Sequence, residues 1–178
     1  LVYNKTTDGG GTWGGAQTIR DGGSNLKMGW YDCWADWQTD GDSGTKIHIA
    51  YTDLNTDDLR YVYLDTNIDS IGGDTQIQSG TNLQTGTGHY VSITKTRGGN
   101  LAVAFILDES GTPAFHFETS PDGSTWTAKS TPVEAAGDNF ILFYANLTDA
   151  DDLWCLYADD SAQEISLKTY DDSGDSWC

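Results

Sequence analysis

Basic residues are scarce in this chain. Nine Lys and Arg stand against 27 Asp and Glu, giving a net charge of −18 and a pI of about 4.1. A field of that sign repels phosphate backbones and anionic lipid surfaces, so neither nucleic acid nor membrane is expected as a partner. Cysteine is equally sparse: Cys33, Cys155 and Cys178 offer no C-x-x-C pair and no zinc-ligand spacing. Cys155 lies in an apolar run and is expected to pack as a small hydrophobe, and Cys33, within an aromatic run, to do the same. A disulfide among the three stays open. No apolar run approaches the length that crosses a bilayer, and no signal peptide is visible. No segment carries apolar residues at sustained helical spacing between caps, so almost no helix is expected. His48, His89 and His116 are scattered, and no Ser-His-Asp triad can be assembled from their spacing. The acids cluster in turns, as in Asp57/Asp58 and Asp171/Asp172/Asp175, where Asp serves turn chemistry. Calcium is the alternative use for such oxygen-rich loops, but none has the spacing of an EF-hand or RTX repeat.

What the chain does have is repetition. Three tryptophans end near-copies of one short turn: Thr6-Thr7-Asp8-Gly9-Gly10-Gly11-Thr12-Trp13, Ser120-Pro121-Asp122-Gly123-Ser124-Thr125-Trp126, and Tyr170-Asp171-Asp172-Ser173-Gly174-Asp175-Ser176-Trp177. In such a turn the Asp accepts from backbone amides just ahead, a Gly takes positive φ and a hydroxyl ties down the far side. The Trp then re-enters a strand and buries a large ring. Three apolar segments also align: 47–51, 101–105 and 153–157, with starts 54 and 52 residues apart. Each is preceded by a strand-like run (29–37, 89–96, 139–146) and followed by another (59–64, 114–119, 164–169). Counting back five positions from each turn aspartate gives Tyr3, Phe117 and Leu167, while the unit around Tyr63 has lost the motif. The unit is about four short strands in roughly 50 to 57 residues, the period of a β-propeller blade. The expected fold class is therefore all-β, a β-propeller of four-stranded antiparallel blades. The run 101–107, apolar on both faces, suits an inner strand packed between two neighbouring blades.

The turns resemble Asp-boxes, the S/T-x-D-x-G-x-T-W signature of sialidase-like (BNR-repeat) propellers. The first copy fits every position, with Asp8, Gly10, Thr12 and Trp13 at the defining ones. The second keeps Asp122, Gly123, Thr125 and Trp126 but is one residue shorter. The third keeps Asp172, Gly174 and Trp177, with Tyr170 replacing the opening hydroxyl and Ser176 replacing Thr. The resemblance implies that the boxes sit on outer blade edges and serve the fold, away from a central ligand pocket. With the composition, it also implies an extracellular, cell-surface or virion-surface setting. At about 54 residues per unit the 178 residues hold about 3.3 blades: a part at 1–22 and blades at 28–80, 88–133 and 138–178. Propellers close with about four to eight blades, so the remaining blades of a longer chain, or other copies, are expected to complete the ring.

Family membership of that kind would imply an enzyme, and the residues test it. Sialidases hold the substrate carboxylate with three arginines, the first in an Arg-Ile-Pro context, beside a Tyr nucleophile assisted by Glu and an Asp acid/base. This chain has only Arg20, Arg60 and Arg97, none followed by Ile-Pro, and their positions within the repeat differ too much for convergence to be expected. Glu109, Glu118, Glu134 and Glu164 lie in or beside turns or strand edges, none in an apolar context that would raise its pKa. No catalytic residue is assigned. The most suggestive run is Gly29-Trp30-Tyr31-Asp32-Cys33-Trp34-Ala35-Asp36-Trp37, four aromatics and two carboxylates on a first strand, the one nearest a propeller axis. Ring faces that stack on sugars, flanked by carboxylates that accept from hydroxyls, are what a carbohydrate site needs. By period two, Trp30, Asp32, Trp34 and Asp36 share one side and form the candidate ligand-binding set; the alternative is that these rings pack between blades. The expected function is a non-catalytic recognition or structural module, glycan-directed, with a glycan or surface-protein partner and no cofactor. A fragment of a glycan-active enzyme with its catalytic residues elsewhere, or a structural assembly subunit, are the alternatives.

Overall fold

Short runs of branched and aromatic residues between Asp and Gly clusters fold here as strands joined by tight turns. A computed structural model describes residues 1–20, 28–53, 56–79, 91–109, 112–131, 141–145, 150–159 and 162–178. Strands β1 (Val2–Tyr3) and β2 (Gln17–Thr18) form a two-stranded ladder. Three four-stranded antiparallel sheets follow in chain order. The second sheet is β3 (Met28–Ala35), β4 (Lys46–Asp53), β5 (Asp58–Asp65) and β6 (Ser70–Gln78). The third is β7 (Val91–Lys95), β8 (Leu101–Glu109), β9 (Thr112–Ser120) and β10 (Thr127–Ala128). The fourth is β11 (Ile141–Ala145), β12 (Leu153–Asp159), β13 (Glu164–Asp171) and β14 (Ser176–Trp177). The first strands lie side by side, β3 against β7 and β7 against β11. Among the described residues the only helical element is one 3-10 turn, Asp36–Gln38.

The third sheet is apolar on both faces because it is sandwiched, and the register shows how. On β8, Leu101, Val103, Phe105 and Leu107 point back to Ala50, Leu59 and Tyr61 of the second sheet. The alternate residues Ala102, Ala104 and Ile106, with Phe117 of β9, point forward to Leu153, Cys155, Tyr157 and Tyr170 of the fourth. Such dry faces supply the main stabilisation, at roughly 25 cal/mol per Å² of apolar surface removed from water. A smaller cluster joins Leu1 and Ile19 of the first ladder to Ile47, Ile49, Tyr51 and Val62.

Polar latches join successive sheets. The Tyr3 hydroxyl donates to Asp69 (2.7 Å), with Lys5 on the same carboxylate. Asp32 Oδ2 accepts from the Ile93 amide (2.9 Å) and from Ser92 Oγ (3.2 Å). Asp151 accepts from Thr96 Oγ1 (2.7 Å) and Asn100 Nδ2 (3.0 Å).

Two expectations change here. The strand expected over 29–37 stops at Ala35, because Gln38 Oε1 accepts from the Ala35 amide (2.7 Å) and the Asp36 carbonyl from the Thr39 amide (2.9 Å). Cys33 is exposed rather than packed, whereas Cys155 is fully buried and its thiol is pushed up to about 12 by that burial. All three cysteines are free.

Candidate functional site

The aromatic strand β3 turns the side shared by Trp30, Asp32 and Trp34 toward the third sheet. Trp30 packs against both large cores and Trp34 against the first of them, with its indole N–H donating to Thr39 Oγ1 (2.8 Å). Asp32 is committed to β7 as described, and its other oxygen accepts from the Cys33 amide (2.8 Å). Asp36, at the start of the 3-10 turn, is buried. Its oxygens accept from the Lys46 amide (2.9 Å), from His48 Nε2 (2.8 Å) and from Lys95 Nζ. Lys95 also reaches Asp42 (2.7 Å), so one lysine of the third sheet grips two acids of the second. The four residues singled out for a ligand thus meet at a sheet-to-sheet seam, where the polar side-chain atoms of Asp32, Trp34 and Asp36 already have protein partners.

That seam contains an Asp–His–Tyr relay that the sequence did not announce. His48 Nδ1 lies 2.7 Å from the Tyr61 hydroxyl, opposite its contact with Asp36. Burial pushes the imidazole pKa down against the pull of Asp36, so the ring is neutral near pH 7. A neutral ring there donates from Nε2 to the carboxylate and accepts at Nδ1 from Tyr61, whose phenol is pushed up mainly by burial and stays protonated. Burial raises the Asp36 carboxyl, but Lys95, the Lys46 amide and His48 together bring it down to about 2. The arrangement has the parts of a general-base relay, yet His48, Asp36 and Tyr61 are all buried, with the Trp126 ring edge-on to Tyr61 at 5.5 Å. In this conformation the three side chains are committed to one another across the seam.

Two further expectations are corrected. Arg20 and Arg60 do converge: Arg20 Nη1 (2.8 Å) and Arg60 Nε (3.0 Å) both donate to Asp74, and the Tyr51 hydroxyl joins them (3.1 Å). Asp74 sits in the left-handed region (φ 59°), skipped in the register between Gly73 and Thr75, and this bulge delivers its carboxylate to both guanidiniums. Arg97 stays apart, paired with Asp40 (3.2 Å). Glu118 is only 7% exposed, and desolvation raises its carboxyl to about 7. Glu164 is exposed, while Glu134 and His89 lie outside the described residues.

The exposed chemistry of this region is on the turn after β3. Trp37 keeps 55% of its surface exposed, flanked by exposed Gln38 and by Asp40 with its Arg97 partner. The break in the strand at Ala35 is what swings Trp37 outward.

The tryptophan turns divide by geometry. In the first, Asp8 Oδ1 accepts from the Thr12 amide (2.8 Å) and from Thr6 Oγ1 (2.7 Å), while Thr6 Oγ1 accepts from the Gly10 amide (3.0 Å). In the second, Asp122 Oδ1 accepts from the Ser124 (2.7 Å) and Thr125 (2.9 Å) amides, and Ser120 Oγ from the Gly123 amide (2.8 Å). Gly123 (φ 74°) also lies so close to the Tyr61 ring that a Cβ there would overlap it. In the third, the amide-accepting carboxylate is Asp171, which takes the Gly174 N–H (3.1 Å) and the Ser173 hydroxyl (2.7 Å). Asp172 instead accepts from Lys129 (3.2 Å), and Ser176 pairs with Asp171 across β13 and β14. Each later tryptophan covers a ring on the third strand of the sheet before it: Trp126 covers Tyr61 (5.5 Å) and Trp177 covers Phe117 (5.6 Å). Trp13 is exposed.

Stacked, four-stranded antiparallel sheets joined in chain order define an all-β architecture. It is similar to that of a solved structure described as a Hadza microbial sialidase, Hz136, at a TM-score of 0.63 and 16% identity, over 98% of this chain. The chain spans 38% of that sialidase's length. At that identity the likeness is one of fold. No protein-family model matches the sequence, and no curated protein does.

Proposed function

We propose that the chain is a recognition module built from blades of a sialidase-like β-propeller, and that it binds a glycan at the turn after β3. The observation that carries this reading is the exposed Trp37, a flat apolar face with Gln38 and Asp40 close by in sequence and Arg97 paired to Asp40. A sugar ring stacks its C–H face on such an indole while amide, carboxylate and guanidinium groups meet its hydroxyls. The reading moves the ligand contact off Trp30, Asp32, Trp34 and Asp36, which pack or hydrogen-bond at the seam. An acidic surface suits a secreted or virion-surface setting and a neutral glycan better than an anionic one.

The test is a glycan-array screen followed by calorimetry on the best hit, comparing the wild-type chain with Trp37→Ala. Truncation of the stacking ring is expected to weaken binding by at least about tenfold. Unchanged affinity in a folded Trp37→Ala variant sinks this reading. A second reading, part of a glycan-cleaving enzyme, draws on the sialidase fold neighbour. Release of fluorophore from a fluorogenic sialoside by the 178-residue chain would favour it.

A further inference from the structure

We infer that Asp40 is a site of spontaneous covalent modification: its side chain cyclises onto the Gly41 amide and reopens as isoaspartate, while the other two described Asp-Gly pairs, Asp8–Gly9 and Asp122–Gly123, resist the same reaction.

An Asp-Gly pair is prone to this chemistry because glycine leaves the attacking nitrogen with no side chain beside it. The Gly41 nitrogen bonds to Cγ of Asp40, and a carboxyl oxygen leaves as water, carrying the carboxyl and amide protons. Water then adds to the other ring carbonyl, the former main-chain one, and breaks its bond to nitrogen. The chain now runs through Cγ and is one methylene longer, and the old main-chain carbon has become the free carboxylate. Nothing is oxidised or reduced, and the mass of the product equals that of the starting chain.

Folding treats the three pairs differently. The Thr39 carbonyl accepts from the Asp42 amide (3.0 Å), so residues 39–42 close a tight turn with the Asp40–Gly41 peptide at its centre. A central peptide takes no part in the closing bond, and the Gly41 N–H has no acceptor among the described residues. Gly41 has a φ of 84°, and a Cβ built on it would meet nothing within 4 Å, so this peptide has space to turn. The Asp40 side chain is 65% exposed, and its ion pair with Arg97 (3.2 Å) is of the surface kind that opens readily. Asp8 and Asp122 are held instead. Asp8 Oδ1 accepts from Thr6 Oγ1 and from the Thr12 amide, and Asp122 Oδ1 from the Ser124 and Thr125 amides. These bonds hold the Asp8 carboxyl down at about 2 and lower that of Asp122 likewise, and an ionised carboxylate is a poor electrophile. The Gly123 nitrogen is also occupied, donating to Ser120 Oγ (2.8 Å). Its carbonyl accepts from Thr75 Oγ1 (2.6 Å), and the Tyr61 ring leaves the residue no room to turn.

The test is to age the 178-residue chain at physiological temperature and neutral pH, folded and in guanidinium, and to map isoaspartate peptide by peptide. Electron-based fragmentation in the mass spectrometer locates it, and methyl transfer from S-adenosylmethionine by an isoaspartyl methyltransferase counts it. In the folded chain, isoaspartate should build up at Asp40 at least about tenfold faster than at Asp8 or Asp122, whose carboxylates must first give up charge-assisted hydrogen bonds. In guanidinium the three rates should draw level. Asp40→Glu, at an exposed position, should remove methyl transfer from its peptide while circular dichroism stays unchanged, because the larger ring closes far more slowly. Equal rates at the three sites in the folded chain overturn the inference. An Asp40 that stays aspartate while the unfolded chain converts overturns it too, as does a preference for Asp40 that persists in guanidinium and so belongs to the neighbouring sequence. No glycan enters the measurement, so its outcome stands apart from ligand binding at Trp37.

Discussion

Replacing Asp32 with alanine separates a structural carboxylate from a ligand-binding one. Asp32 Oδ2 is the acceptor for the amide of Ile93, a residue 1% exposed, and for the hydroxyl of Ser92. The alanine variant leaves that amide in the seam between β3 and β7 without its carboxylate. An orphaned buried donor costs about 1–3 kcal/mol, and losing an ionised acceptor puts the change toward the top of that range, about 2–3 kcal/mol. In a chain of this size each kcal/mol moves the melting temperature by roughly 2–4 °C, so a fall of roughly 4–12 °C is expected by calorimetry. The urea midpoint should fall with no change in slope, because no new surface is exposed in the native state. Asp32→Asn, which keeps one amide oxygen, should fall between wild type and alanine. Glycan affinity, measured well below the transition, should be unaltered. A melting temperature equal to wild type combined with lost glycan binding would refute the reasoning and restore Asp32 to a ligand site.

Glu118 should give stability an uncommon pH dependence. Its folded pKa of about 7 stands above an ordinary value near 4.5, so its contribution is full below about pH 4.5 and is lost as pH rises through 7. The loss is up to about 3 kcal/mol, and Glu118→Gln should flatten denaturation midpoints across that window. Asp36 acts in the opposite sense: its pKa is lowered to about 2, so the stability it supplies is present above the ordinary carboxylate range and disappears as pH falls toward 2. Asp36→Asn should lower the midpoint at pH 7 and narrow its difference from wild type in acid. In the turns, Asp122→Ala should speed amide exchange at Ser124 and Thr125. At Gly174, Asp171→Ala should do so more than Asp172→Ala, and the reverse order would contradict the hydrogen bonding described.

The sheets were legible because two periods agree: alternation within strands, and a recurrence of 54 and 52 residues between them. Alternation also placed Trp30, Asp32 and Trp34 on one side correctly. It could not reveal that a neighbouring sheet covers that side, because the covering groups, Ile93 and Lys95, come from some sixty residues away. The end of β3 at Ala35 escaped notice for a similar reason: Asp36 obeys the alternation and is drawn out of it by His48 and Lys95. Arg20 and Arg60 were read as unrelated because only the Asp74 bulge brings them together, and no propensity marks Asp74 as the residue skipped. The burial of Glu118 was hidden because its same-side neighbours on β9, His116 and Ser120, are polar, while its cross-strand partner is the buried Val103 of β8. In the third turn, adjacent acids at 171 and 172 gave the motif two possible aspartates, and the backbone used the earlier one.

The latches Asp69–Tyr3, Asp32–Ile93 and Asp151–Thr96 each join a sheet only to the one beside it. Energy in such a molecule is distributed as in a one-dimensional array, with a term for each unit and a term for each junction. Loss of order at one junction should then leave the others standing, so that units come away one at a time. A load pulling on the termini would meet a series of modest yield points in place of one large one. The second and third sheets, joined by the Asp36–His48–Lys95 seam, would be among the harder pairs to part.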